Sequence, residues 1–236
     1  NGLYMSLNLQ KVRRLTGHEG AVYICRPDGR EHFLTSGGDG WIVRWAVEEE
    51  HGKLIAKVPA VVFSLDYHEL FDVILAGDIQ GGLHWVYPNS SKENRDIPHH
   101  YQGVFTVKSW KQYFFTGGGK GMLSCWEADS GELVQSVRIS STRVRSIHFH
   151  PVETHCFVGT SDGDIIQLSV PDLELIQRIE GAHENTVFCC LVHPNGKFLY
   201  TGGRDARLRT WNIEDGILPV DNKPAHRYTV NDMCIE

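Results

Sequence analysis

The chain has 236 residues, a net charge of −6 at pH 7 and a hydrophobic fraction of 41%. This length is enough to bury the core of one large domain or two small ones, and the acidic balance argues against a protein built mainly to bind phosphate backbones. No run approaches the roughly 20 consecutive apolar residues of a membrane-spanning helix, so no membrane segment is expected.

The cysteines bear on the expected compartment. They have neither the spacing of a disulfide framework nor a CxxC pair, and most lie among apolar or β-branched residues, where a free cysteine behaves as a small hydrophobic side chain. The N-terminal residues also lack the apolar region of a secretory signal peptide. We therefore expect reduced thiols and a cytoplasmic protein.

Taken in chain order, the first elements are short strands. Residues 21–27, 32–38 and 41–47 are rich in β-branched and aromatic residues and are separated by PDG and GDG turns. A fourth run of the same kind covers residues 54–58. The pattern predicts four strands within the first 60 or so residues.

The same order of strands returns near the C-terminus. Residues 186–194, 198–203 and 207–213 repeat the first three strands, and further outer strands are predicted at residues 133–139 and 175–179. Helical periodicity is not sustained in any segment, which disfavours a solenoid of helix pairs.

Two markers show that the strands belong to a repeat. One is a turn glycine and the other a valine that opens an apolar run, and both recur every 40 to 43 residues. The turn positions are Gly40, Gly81, Gly121, Gly163 and, with alanine in place of glycine, Ala206. The marker valines are Val22, Val62, Val104, Val144, Val187 and Val230. Four strands per unit of about 42 residues is the size of a propeller blade.

The predicted fold is an all-β propeller with five complete, four-stranded antiparallel blades and partial elements of one more. We treat residues 1–236 as a single domain that is incomplete at its C-terminus. The predicted units are residues 17–59, 60–98, 99–139, 140–180 and 181–221, with a partial unit at 222–236.

Two units carry the same polar set. A Gly-His or Ala-His step precedes the first strand, an Asp lies in the turn between the second and third strands, and a Trp follows six residues later. This pattern resembles the WD-repeat family of β-propellers, and the resemblance covers essentially the whole chain. It implies a hydrogen-bond network inside each blade. The two sets are His18, Thr35, Asp39 and Trp45, and His183, Thr201, Asp205 and Trp211.

The chemistry of these side chains suits a structural role. An indole N–H, a hydroxyl, an imidazole and a carboxylate can satisfy one another, so none is buried without a partner. General acid–base catalysis by His18 with Asp39, or by His183 with Asp205, is an alternative. The occurrence of one set in two units favours the structural interpretation, and no catalytic residue is predicted.

The other three units depart from the pattern. At the Thr, Asp and Trp positions the second unit has Ala76, Gln80 and Val86, the third has Thr116, Lys120 and Trp126, and the fourth has Val158, Asp162 and Leu168. We expect these blades to be held by apolar packing and backbone ladders.

The ends of the chain raise the question of ring closure. Residues 12–15 match an outer strand, which in WD-repeat propellers often completes the last blade and removes two exposed edges. The sixth unit offers only a first strand. Family members most often have seven blades, so the sequence belongs to a longer propeller or closes by self-association.

The resemblance also implies a partner-binding face. Three positions per blade commonly contact partners there: the residues before and after the marker valine, and the residue before the turn Asp. Aromatic and arginine residues at these positions have the composition of a binding hot spot and suit an acidic or carboxylate-bearing partner. The alternative is that the phenylalanines belong to the core. The predicted binding residues are Tyr23, Phe63, Phe105, Arg143, Arg145, Phe188 and Arg204.

Three other functions were weighed. A metal site could use His148, His150, His155 and Cys156, but His150 precedes a proline as His193 does in the next unit, so its place in the repeat explains it. Basic segments at residues 11–14, 143–145 and 204–209 could contact nucleic acid, but solvated strand faces account for them. A propeller enzyme would need polar or metal-binding residues at the channel mouth, where the residues are mostly aromatic or small. We expect a protein-binding scaffold without metal, cofactor or nucleic acid.

Overall fold

The computed structural model describes residues 10–29 and 31–235. Within them the regular elements are twenty strands, which form five four-stranded antiparallel sheets. This confirms the all-β prediction and the five complete units. Among the same residues there is no helix with the length and apolar character needed to cross a membrane.

In each sheet, strands that are consecutive in the chain are hydrogen-bonded neighbours. The first sheet contains β1 (Val22–Asp28), β2 (His32–Gly37), β3 (Trp41–Ala46) and β4 (Lys53–Lys57). The second contains β5 (Val62–His68), β6 (Val73–Asp78), β7 (Gly82–Val86) and β8 (Arg95–Pro98). The third contains β9 (Val104–Trp110), β10 (Tyr113–Gly118), β11 (Met122–Glu127) and β12 (Leu133–Arg138). The fourth contains β13 (Val144–Phe149), β14 (His155–Thr160), β15 (Ile165–Ser169) and β16 (Leu175–Ile179). The fifth contains β17 (Val187–Val192), β18 (Phe198–Gly203), β19 (Arg207–Asn212) and β20 (Leu218–Pro224).

The turn between the second and third strands explains the repeated glycine. Gly40 has φ 71°, in the left-handed region that favours glycine, and a Cβ there would lie 2.2 Å from the Val58 carbonyl oxygen. Ala206 has φ 61° in the equivalent turn of the fifth sheet. For a residue with a side chain this conformation costs about 1–2 kcal/mol.

The sheets fan around a shared axis. Their first strands stand side by side, with β1 next to β5, β5 next to β9, β9 next to β13, and β13 next to β17. These five strands and residues 231–234 line one cavity of about 730 Å³, which we call the central channel. The side chains that point inward from the first strands therefore determine what the channel can bind.

Apolar side chains fill the spaces between consecutive sheets. Leu34 of the first sheet packs with Leu65 and Ile74 of the second, and Trp85 of the second packs against Phe114 of the third. Similar clusters join the third sheet to the fourth and the fourth to the fifth. Burying one such side chain contributes about 1.5–3 kcal/mol, so these layers hold the fan together.

The marker valine has a packing role at the junction between sheets. Val104 lies so close to Gly77 of the preceding sheet that a Cβ on this glycine would be 2.5 Å from the valine Cβ. A Cβ on Gly202 would likewise be 2.4 Å from Val230 Cγ1. Val22 has no preceding sheet among the described residues and is 50% exposed, whereas Val104 is fully buried.

The two ends of the described chain differ from the prediction. Residues 12–15 do not form an outer strand; they run beside the first sheet, where Arg13 Nη1 donates to the carbonyls of Val47 at 3.0 Å and Glu49 at 3.1 Å. Residues 229–235 do not form the predicted first strand either. A strand needs a ladder partner, and the described chain supplies no second strand to either segment.

Candidate interaction site at the mouth of the central channel

The fifth sheet brings its predicted polar set together. The Trp211 indole N–H donates to Thr201 Oγ1 at 2.9 Å, and His183 Nε2 lies 2.8 Å from the same oxygen. His183 Nδ1 lies 2.9 Å from Asp205 Oδ1, and Arg209 donates to Asp205 Oδ2 at 2.6 Å. Burial alone would raise the pKa of Asp205, but the hydrogen bonds from His183 and Arg209 outweigh it and lower the pKa to about 2. The carboxylate is therefore ionised at neutral pH.

The first sheet places its set in the same geometry. Trp45 Nε1 donates to Thr35 Oγ1 at 2.7 Å, and His18 Nε2 lies 2.7 Å from that oxygen. His18 Nδ1 lies 2.8 Å from Asp39 Oδ2. Burial raises the pKa of Asp39, but hydrogen bonds from the Trp41 backbone N–H and from His18 outweigh it and lower the pKa. Neither polar set lines the central channel.

The second and fourth sheets contain polar contacts that the sequence did not predict. His84 Nε2 lies 2.9 Å from Asp78 Oδ2, and His84 Nδ1 lies 2.6 Å from Asp96 Oδ1. In the fourth sheet, the Ser140 hydroxyl donates to Asp162 Oδ2 at 3.1 Å. Ser140 stands four residues before its marker valine, as His18 does in the first unit, so this spacing would have identified it. His84 pairs with Ala76 across the strands as Arg209 pairs with Thr201 in the fifth sheet, but the residue type differs between the units.

The third sheet has a shorter version of the network. Trp126 Nε1 donates to Thr116 Oγ1 at 3.0 Å, and His100 Nε2 lies 2.8 Å from it. Burial and the neighbouring His99 lower the pKa of His100 to about 3, so its ring is neutral. Like His18 and Ser140, His100 stands four residues before a marker valine.

Five of the seven predicted partner-binding residues lie together at one level of the channel. The rings of Tyr23 and Phe63 are 5.3 Å apart between centroids, and those of Phe63 and Phe105 are 5.9 Å apart. Arg145 Cζ lies 4.8 Å from the ring centre of Phe105 and 5.0 Å from that of Phe188. We call these five side chains the aromatic–arginine ring.

The remaining two predicted residues lie at the same end of the sheets but outside the channel lining. Arg143 Cζ is 5.4 Å from the ring centre of Phe105, and the Arg143 carbonyl accepts the Ser161 backbone N–H at 2.9 Å. Arg204 is exposed, and its backbone N–H donates to the Thr186 carbonyl at 2.9 Å. They extend the positive charge of the ring outward over the fourth and fifth sheets.

The charge at this end of the channel is uncompensated. Within the described residues, Arg143, Arg145 and Arg204 take part in no ion pair. Burial, and then the charge of Arg143, lower the pKa of Arg145, but a guanidinium stays protonated in proteins. A cation held against two aromatic faces gains about 0.5–2 kcal/mol per contact, so this arrangement is stable and open to an anionic ligand.

A second level of polar side chains, which was not predicted from the sequence, lies deeper in the channel. Arg26, Lys108 and His148 line the channel, and each is the fourth residue after a marker valine. Because a strand rises about 3.3 Å per residue, this level lies about 10 Å from the aromatic–arginine ring. The repeat spacing that identified the ring would also have identified this lower level.

The cluster that comes nearest to a metal site is explained by its own hydrogen bonds. His150, Glu153 and His155 have ligand atoms within 4.8 Å of one another. However, His150 Nδ1 accepts the Glu153 backbone N–H at 2.8 Å, and its Nε2 donates to a backbone carbonyl at 2.9 Å. His148 instead lines the channel, and Cys156 lies in the core.

Comparison with protein families gives a direct match. The family described as "WD domain, G-beta repeat" matches residues 9–45 and 174–212, which include both predicted polar sets. The GATOR2 complex protein WDR24 of Xenopus laevis is 24% identical over 210 residues, covering 82% of this chain and 26% of that protein. WD repeat-containing protein 18 of Danio rerio is 31% identical over 100 residues, covering 38% and 23%. The chain thus spans about a quarter of the length of these relatives.

A solved structure supports the fold. The crystal structure of the computationally designed Ika8 protein superposes with a TM-score of 0.78 at 16% sequence identity, covering 94% of this chain and 67% of that one. At this identity the likeness concerns the fold alone. The likeness and the fanned sheets show a β-propeller, and the repeat period with the family matches identifies the chain as a WD-repeat protein.

Proposed function

We propose that this protein is a non-enzymatic scaffold that binds an acidic segment of a partner protein at the aromatic–arginine ring. The observation that carries the proposal is the position of Arg145 between the rings of Phe105 and Phe188, at 4.8 and 5.0 Å from their centres. A guanidinium held in this way is a fixed, two-pronged donor that suits a carboxylate.

The surroundings of Arg145 suit a peptide. Tyr23 is 53% exposed and Phe63 is half-buried, so both offer apolar contact area beside the charge. Aromatic anchors next to arginine are typical of the few residues that supply most of the binding energy in an interface. Arg143 and Arg204 lie further out, where they would attract an acidic partner and speed its association.

The relatives support a scaffold role. WDR24 is by its name a protein of the GATOR2 complex, and a WD-repeat relative within an assembly is consistent with partner binding here. The absence of catalysis, the cytoplasmic location and self-association remain predictions.

The test uses a defined pair of peptides and three proteins. A peptide of eight glutamates and its matched peptide of eight glutamines are titrated into the native protein, the Arg145→Met variant and the Lys53→Met variant. Lys53 is exposed on the outer strand β4, so its replacement removes the same charge far from the ring. Binding is followed by fluorescence anisotropy.

We expect the native protein and Lys53→Met to bind the glutamate peptide and not the glutamine peptide. Arg145→Met should bind it about tenfold or more weakly, the loss expected when a hot-spot residue is removed. Equal binding of both peptides, or equal affinity of Arg145→Met and native protein for the glutamate peptide, would refute the proposal.

A further inference from the structure

We propose that the lower level of the central channel, formed by Arg26, Lys108 and His148, is a binding site for a small phosphate-type oxyanion. This site is distinct from the aromatic–arginine ring and does not depend on the proposed partner. Three different sheets contribute one side chain each, and all three line the same cavity of about 730 Å³.

Arg26 has a donor without an acceptor. Its Nε is buried and has no hydrogen-bond partner within the described chain. Its Nη1 donates to the Cys25 carbonyl at 3.2 Å and lies 3.9 Å from Asp232 Oδ2, at the far limit of an ion pair. A buried guanidinium N–H without an acceptor is costly, so an acceptor in the channel would satisfy it.

Lys108 is a second cation that lacks a close partner. Its side chain lines the channel, and in residues 10–29 and 31–235 its ammonium forms no ion pair. The neighbouring carboxylate of Asp66 is engaged elsewhere, because its Oδ2 accepts the backbone N–H of Ser109 at 2.6 Å and its hydroxyl at 2.9 Å. Lys108 is half-buried, so its ammonium is partly removed from water without a close partner.

His148 supplies an imidazole to the lower level. Its Nδ1 lies 3.2 Å from the Phe149 carbonyl oxygen and 3.3 Å from the backbone nitrogen of Val192. When Nδ1 accepts the Val192 N–H, the ring proton is on Nε2, which then donates, and when Nδ1 donates to Phe149, Nε2 is an acceptor. The lower level thus offers a guanidinium, an ammonium and an imidazole that can donate in one of its two tautomers.

The ligand class follows from this donor set. The guanidinium of Arg26 and the ammonium of Lys108 carry positive charge and only donate hydrogen bonds, so they select an anion rather than a metal cation. The channel lining at this level carries the cations of Arg26 and Lys108 and the carboxylate of Asp232, while the neighbouring Asp66 carboxylate accepts its hydrogen bonds from Ser109. Donors that come from three sheets approach from three directions, and a tetrahedral oxyanion presents oxygens in such directions, whereas a planar carboxylate does not.

The experiment is isothermal titration calorimetry of the full chain with inorganic phosphate, with sodium chloride at equal ionic strength as the blank. The variants are Lys108→Met, which replaces a half-buried lysine with an apolar side chain of similar length and is expected to fold, and the matched control Lys53→Met. A third variant, Arg145→Met, tests independence from the aromatic–arginine ring. Circular dichroism verifies that each variant is folded.

We expect saturable phosphate binding by the native protein, Lys53→Met and Arg145→Met, and an affinity about tenfold or more lower in Lys108→Met, as expected when one charged hydrogen bond is lost. Absence of binding to the native protein at millimolar phosphate, or equal loss in Lys53→Met and Lys108→Met, would overturn the proposal. Loss in Arg145→Met but not in Lys108→Met would also overturn it, because the anion would then sit at the ring.

A second arm separates two sources of the phosphate group. A phosphoserine peptide and its unphosphorylated form are titrated into the native protein and Lys108→Met. A free oxyanion as the ligand predicts that inorganic phosphate binds at least as tightly as the peptide. If only the phosphopeptide binds, with dependence on Lys108, the proposal of a free oxyanion is refuted.

Discussion

The second and fifth sheets have the same four-stranded form but different polar interiors. In the fifth, the Trp211 indole N–H is satisfied by Thr201. In the second, Ala76 and Val86 stand at the threonine and tryptophan positions, so this hydrogen bond is replaced by apolar side chains. Trp85, one residue earlier, packs against the third sheet, and its indole N–H is buried without a partner in the described chain. The second sheet is instead tied by His84 between two carboxylates. The difference teaches that apolar layers and backbone ladders define the sheet, and that the polar network within it can be exchanged.

The largest expected effect comes from Thr201→Val. Thr201 Oγ1 is shared by Trp211 Nε1 and His183 Nε2, so its removal leaves two buried polar groups without a partner. We expect the free energy of unfolding to fall by about 2–4 kcal/mol, measured by urea denaturation. The control is Thr210→Val on β19 of the same sheet. A fall no larger than that of the control would mean that the network does not stabilise the fifth sheet.

The corresponding change in the second sheet is Asp78→Asn. Burial raises the pKa of Asp78, but hydrogen bonds from His84 and from the backbone N–H groups that follow outweigh it and hold the pKa below 3.8. We expect the variant to unfold about 1.5–3 kcal/mol more easily at pH 7.

The pH dependence of this loss has a defined sign. Because the folded pKa is depressed, the stabilisation by Asp78 is complete above the ordinary carboxyl pKa and is lost as the pH falls through the folded pKa. The difference between native protein and variant should therefore shrink when urea denaturation is repeated at pH 3 and below. A difference that stays constant from pH 7 to pH 3 would contradict the role of the carboxylate charge.

The smallest expected effect concerns the turns of the same two sheets. Ala206→Gly relieves the strain of a left-handed alanine, about 1–2 kcal/mol, against an entropic cost of about 0.4–1 kcal/mol in the unfolded chain. We expect a net gain of about 0.5 kcal/mol, measured as a rise in thermal midpoint.

The opposite exchange, Gly81→Ala, should lower the midpoint, since a Cβ there would lie 1.8 Å from the His100 carbonyl oxygen. Equal signs for the two exchanges would contradict this account.

The parts of the fold that the sequence predicted have local causes. The turn positions recur because the backbone there is left-handed, and the marker valines recur because four of them, Val104, Val144, Val187 and Val230, pack on a glycine of the preceding sheet. Both constraints act on one residue type at one position, so they leave a visible period. The polar set of His183 and Asp205 was visible for the same reason.

The parts that were missed depend on contacts across strands or between sheets. His84 and Asp96 lie on neighbouring strands of one sheet, and no other unit repeats the pair. Arg26 and Lys108 share a position in the repeat but differ in type, so neither stands out without the channel. The strand predicted at residues 12–15 was wrong because matching an outer strand in sequence does not supply the neighbour with which it must pair.

The contact of Val104 with Gly77 has a consequence for the channel. Because no methyl group fits between them, the contact sets the closest approach of β6 in one sheet to β9 in the next, and Gly117 with Val144 and Gly159 with Val187 do the same at the following junctions. The width of the channel, and with it the distance between Phe105 and Arg145, therefore depends on residues that do not line the channel. We therefore expect that a single added carbon at a sheet junction would change the shape of the proposed binding sites while every side chain that lines the channel stays in place.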